Sequence, residues 1–189
     1  MGIRIVAVLA VVGGLALGIA VGGIAVQFLT NPGVDPWWRA YVDMDPVALG
    51  IITVAGRLGI VALAGATFGL VALYVDRLSP WTAAAGTIGV AAAAIQLLGA
   101  AQPLVVLLPL GSAIVVLDLA RQGVLGRPLA ITFLVSASAF AVLVADMFNG
   151  AAAPGAATAL LIAYPVAWVL VGAALTTGIS RASRVARGI

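Results

Sequence analysis

The chain reads as an all-α, polytopic membrane domain of six transmembrane helices, with both termini on the cytoplasmic side. Three observations predict this class. Of its 189 residues, 64% are hydrophobic and 8% charged, and the mean hydropathy is +1.26, far outside the range of soluble domains. The apolar residues fall in runs long enough for a hydrocarbon core of about 30 Å, which takes about 20 helical residues. The arginines gather in the connections that share one side.

The spans are expected over residues 4–29, 47–74, 81–100, 103–120, 129–148 and 156–179. Arg4 precedes the first run as in a secretory leader, but the run is too long and lacks a polar region before a cleavage site, so it counts as a span. The third and fourth are separated only by "AAQP". One helix over both would be about twice as long as the core is thick, so the pair is expected as a hairpin. Pro46, Pro80, Pro103, Pro128 and Pro154 stand at the starts of the other five segments. A proline suits a first helical turn, where its missing N–H costs nothing.

With the N-terminus inside, Arg4, Arg77, Arg121, Arg127, Arg181, Arg184 and Arg187 are cytoplasmic and Arg39 alone is outside. That asymmetry sets an N-in, C-in topology in the cell membrane. The tail "SRASRVARGI", residues 180–189, then lies on an anionic inner leaflet. The net charge of +3 is thereby assigned to the lipid bilayer, and no nucleic-acid partner is expected. The one long connection, residues 30–46, is external. In "DPWWRAY", Asp35 is placed to cap a short interfacial helix that begins at Pro36 and lays Trp37 and Tyr41 at the headgroups.

The catalytic inventory is thin. There is no Cys and no His, and neither Lys nor Glu occurs. Disulfides, thiolate metal sites, the usual haem ligand and Schiff-base chemistry are excluded. No nucleotide-binding or hydrolase motif occurs. The Asp and Ala-Arg fragments of "DLARQG", residues 118–123, resemble those of membrane alcohol phosphotransferases, but the spaced aspartates that hold a metal there are missing. The expectation is no enzyme and no cofactor.

Lipid is as apolar as leucine, so the helices must associate by close contact between small residues. Gly14, Gly18 and Gly22 form a doubled GxxxG, and Ala55, Gly59, Ala62, Ala66 and Gly69 draw a stripe along the second span. The stripe is expected to pack within the chain.

Arg57 lies about 15 Å into its helix, near the midplane, and about 200° round from Gly59. A guanidinium facing lipid costs about 3 kcal/mol or more. Arg57 is therefore expected to face the interior, at the floor of an outward-facing polar pocket. Asp146 near the outer end of the fifth span leans inward and is its expected counter-charge, either across a ligand site or as a structural pair that fixes helix register with Tyr164 and Trp168 filling space or stacking on the guanidinium. Gln96, Tyr164, Trp168 and Thr53 fall at similar depth and complete the candidate ligand-binding set; Pro165 frees a carbonyl in the same layer, and Ser112 and Ser138 lie near the middle. Asp76 with Arg77, and Asp118 with Arg121, are expected as solvated interface pairs.

Two functions follow from this pattern. One is a transport component that binds a small anionic or aromatic solute, or an ion, in the Arg57 pocket. In size and number of spans the chain is similar to the substrate-binding membrane subunits of vitamin importers, a likeness that carries no residue across. The other is a non-catalytic accessory or scaffolding subunit, joined to a membrane-protein partner or to further copies of itself through its smooth Gly and Ala surfaces.

Overall fold

The structure, a computed structural model, describes residues 2–30, 44–99, 106–148 and 155–186. The expected external helix at Asp35–Tyr41 lies outside the described residues, as do Pro103 and Pro154. Among the described residues the secondary structure is entirely helical: α1 (Ile3–Thr30), α2 (Pro46–Tyr74), α3 (Pro80–Leu97), α4 (Leu107–Arg121), α5 (Arg127–Phe148) and α6 (Gly155–Ala186).

The helix starts follow from local chemistry. Asp45 precedes Pro46, and its Oδ2 accepts the N–H groups of Val47 and Ala48, each at 3.0 Å. Ser79 precedes Pro80, and its Oγ accepts the Thr82 N–H at 3.1 Å. In both, the cap satisfies first-turn donors while the proline withholds one that would have no partner. Pro109 falls in the first turn of α4, so it does not interrupt the helix as an interior proline would.

Four helices are long and apolar enough to cross a membrane, over Ile3–Gln27, Pro46–Tyr74, Arg127–Asp146 and Leu160–Thr177. The other two are shorter than expected. α3 has 18 residues and α4 has 15, about 27 and 22 Å at 1.5 Å per residue, against a core of about 30 Å. α4 starts at Leu107, later than the expected boundary at 103, and α3 carries Thr82, Thr87 and Gln96 among its alanines.

The helices pack in sequence order as a closed ring: α1 lies between α2 and α6, followed by α2 on α3, α3 on α4, α4 on α5 and α5 on α6, and α4 also touches α2. Each contact is antiparallel wherever a glycine marks it. A Cβ on Gly59 would stand 2.7 Å from the Leu17 backbone nitrogen, and one on Gly14 would stand 2.6 Å from the Pro165 carbonyl oxygen. Gly89 lies against the Leu107 carbonyl and Gly111 against that of Ala85, which locks α3 and α4 as a hairpin. The α2 stripe thus packs within the chain, on α1, with Gly59, Ala62, Ala66 and Gly69 buried. The three glycines of α1 do not act as one motif. Gly14 is tight, Gly18 is in ordinary contact and Gly22 has nothing near it.

The ends of α2 and α4 are tied together. The Ser79 N–H donates to Asp118 Oδ2 at 3.2 Å, and Gln122 Nε2 donates to the Arg77 carbonyl at 2.8 Å. These bonds replace the expected Asp118–Arg121 pair. Asp118 forms no ion pair with Arg121 because its carboxylate turns toward the neighbouring connection, and Asp76 and Arg77, both exposed, form none with each other.

Candidate functional site

The six candidate residues divide into three places. Tyr164 and Trp168 are fully buried in the middle of the ring. Arg57, Thr53 and Asp146 are exposed on its surface, and Gln96 is half-buried near the C-terminal end of α3. Arg57 and Asp146 form no ion pair or hydrogen bond with each other, since α2 and α5 are not packed neighbours in the ring. The expected pocket with Arg57 at its floor and Asp146 opposite is therefore corrected.

The buried pair belongs to an aromatic core. Phe133 meets Tyr164 edge-on at 5.7 Å and Trp168 at 5.0 Å between centroids, and Phe140 lies 4.9 Å from Tyr164. Such edge-to-face geometry matches the positive rim of one ring to the negative face of another. Ser112 Oγ donates to the Pro109 carbonyl at 2.9 Å. Its proton is thereby committed, so the Tyr164 hydroxyl is the donor in their 3.2 Å contact. Trp168 Nε1 stands beside that hydroxyl without meeting the geometry of a hydrogen bond, and is buried without a partner. These rings stack on one another and not on the Arg57 guanidinium. Their partners Phe133, Ala137 and Phe140, spaced by four and three, were visible as a helical face, but nothing in the sequence paired that face with Tyr164.

The exposure of Arg57 has a geometric cause. Val71 and Thr67 face Gly86 of α3. Arg57 stands two heptads before Val71, and Thr53 two heptads before Thr67; two heptads return a helix to within about 40° of the same face. Arg57 and Thr53 therefore lie at the edge of the side of α2 that faces α3, and Val61 and Phe68, within about 40° of Arg57 and alongside α3, are exposed as well. The exposure of Arg57 is thus that of its face. α2 is also eleven residues longer than α3, and a five-residue connection joins them, so α3 ends about 16 Å short of the Pro46 end of α2. Arg57 is eleven residues from that end, level with this step.

Around Arg57 the exposed surface is apolar, with Gly50 and Val54 on its N-terminal side and Val61 and Phe68 on its C-terminal side. An open groove of about 570 Å³ between the C-terminal half of α1 and the N-terminal half of α2 is lined by apolar residues, among them Ile19, Val47, Ile51, Val54 and Leu58. It holds none of the six candidate side chains. Among the described residues no cluster of three metal-ligating side chains occurs.

Fold and site together define a helical protein with four helices long and apolar enough to cross a membrane, an aromatic interior, and an exposed arginine on α2 that has no partner among the described residues. Comparison with known proteins finds no matching family, no matching curated protein and no matching solved structure.

Proposed function

We propose that this protein is a non-catalytic accessory or scaffolding subunit of a larger membrane assembly, and that it joins the assembly through the outer side of α2. The observation that carries this reading is Arg57, exposed and unpaired at mid-span within an apolar surface. Lipid is a costly neighbour for a guanidinium. A protein surface that offers a counter-charge removes the cost.

The proposed topology is six crossings with both ends inside, in the cell membrane. It is supported by the antiparallel ring and by the bonds that bring the Arg77 and Gln122 connections together at one end. α3 and α4 cross as the shorter pair, with the bilayer thinned or the side chains at their ends reaching outward to make up the length.

A solute-binding transport component is the second reading. It is favoured only by the exposure of Arg57 and Thr53 on one face of α2. The separation of Asp146, Tyr164 and Trp168 from that face leaves it secondary. Arg57→Ala separates the two. Under the assembly reading, the wild type extracted in mild detergent elutes larger than a monomer, and Arg57→Ala elutes as a monomer with unchanged helical circular dichroism. An unchanged elution volume, with loss of uptake into reconstituted vesicles, overturns the assembly reading in favour of transport.

A further inference from the structure

We infer that the step beside Arg57 receives a transmembrane helix of a different protein, one that carries a single carboxylate at mid-depth. This names the chemistry of the partner and rests on the assembly reading above. Around Arg57 the exposed face of α2 runs over Gly50, Val54 and Val61, and its polarity is one cation and one threonine. A free hydrated anion entering there trades its water for few polar contacts, a poor exchange. An apolar helix with one Asp or Glu matches the pattern, since its remaining surface meets apolar side chains and its carboxylate meets the guanidinium in a short, charge-assisted bond.

Among the described residues, no acid of a second copy stands at the level of Arg57. Gly59 lies against Leu17, Gly18 against Pro165, and Tyr164 against Phe140, so Arg57 is about level with Phe140. Asp146, the acid nearest that depth among the described residues, is six residues further out, about 9 Å. Asp45 is committed to the α2 cap and Asp118 to Ser79, and Asp76 lies beyond the inner end of α2.

The chain has no cysteine, so a single introduced thiol reports contact cleanly. Full-length Val54→Cys protein is reconstituted in phosphatidylcholine vesicles with synthetic Leu/Ala single-span peptides. Each peptide carries one Cys a turn from its centre and either Asp or Leu at the centre. The Asp peptide is expected to give about tenfold more disulfide adduct than the Leu peptide. Arg57→Asp should abolish that preference and create one for a peptide with central Arg, a rescue that an unfolded variant does not give.

Three results overturn the inference: equal adducts from Asp and Leu peptides, Val54→Cys dimers formed without any peptide, or loss of the Asp-peptide adduct when sodium acetate is added at constant ionic strength. The first leaves the partner's chemistry unassigned to charge, the second makes the occupant another copy, and the third makes it a small anion. If Arg57→Ala breaks up the native assembly while the peptides show no preference, the carboxylate assignment alone falls. If Arg57→Ala leaves the assembly intact, the assembly reading falls first.

Discussion

At the scale of single residues, the interior and the surface use polarity differently. Inside, the Tyr164 hydroxyl donates to Ser112, which keeps its own bond to the Pro109 carbonyl whether or not the tyrosine is present. Tyr164→Phe is therefore expected to cost only about 0.5–1 kcal/mol in reversible unfolding from detergent, the usual worth of one hydrogen bond between membrane helices. Trp168→Ala removes a ring that fills the centre of the aromatic core and should cost about 3–5 kcal/mol. A Tyr164→Phe loss as large as that of Trp168→Ala would mean that the hydroxyl holds more than Ser112. The depth of both residues was legible in the sequence, because depth needs only a count along the helix. Their burial was not, since it depends on Phe133 and Phe140 arriving from another helix. Arg57 shows the same limit from the other side. Its angle from Gly59 excluded the small-residue seam correctly, but the choice between interior and outside depended on which face of α2 the other helices leave uncovered, and α2 alone does not encode that.

At the scale of elements, most of what holds the helices together was legible. The starts at Pro46 and Pro80 were marked by proline, and the α2 stripe faced a helix of the same chain. The contact partner of each glycine was hidden, and there the physics is steric. Gly59→Ala forces a methyl group into the Leu17 backbone, which cannot rotate away as a side chain can. That substitution should cost about 1–3 kcal/mol by overpacking. Gly50→Ala meets nothing within 4 Å, so it should be neutral or slightly stabilising through better helix propensity. Unfolding of the two variants side by side checks this. Equal effects would show that helix propensity, and not contact with α1, governs both sites. Asp45→Ala removes the acceptor for two first-turn donors and should cost about 1 kcal/mol.

At the scale of the whole molecule, the ring has four long helices and a low wall made of two short ones, α3 and α4. The sequence made the low wall hard to see, because α3 is apolar enough by composition to pass for a full span. Its polar residues and the late start of α4 appear only when the helix ends are fixed. The low wall decides how the molecule sits in the bilayer, and labelling of introduced thiols with a membrane-impermeant reagent tests it. Val47→Cys at the outer start of α2 should react from outside, and Arg77→Cys should react only after the membrane is permeabilised. The decisive position is Leu98, exposed just past the outer end of α3. With six crossings, Leu98→Cys reacts from outside, more slowly than Val47→Cys because it lies about 16 Å deeper along α2. If the α3–α4 hairpin instead turns back within the bilayer, its tip is screened by acyl chains. Leu98→Cys then stays unreactive from both sides while Arg77→Cys keeps its behaviour, and that result would reduce the crossings to the four long helices.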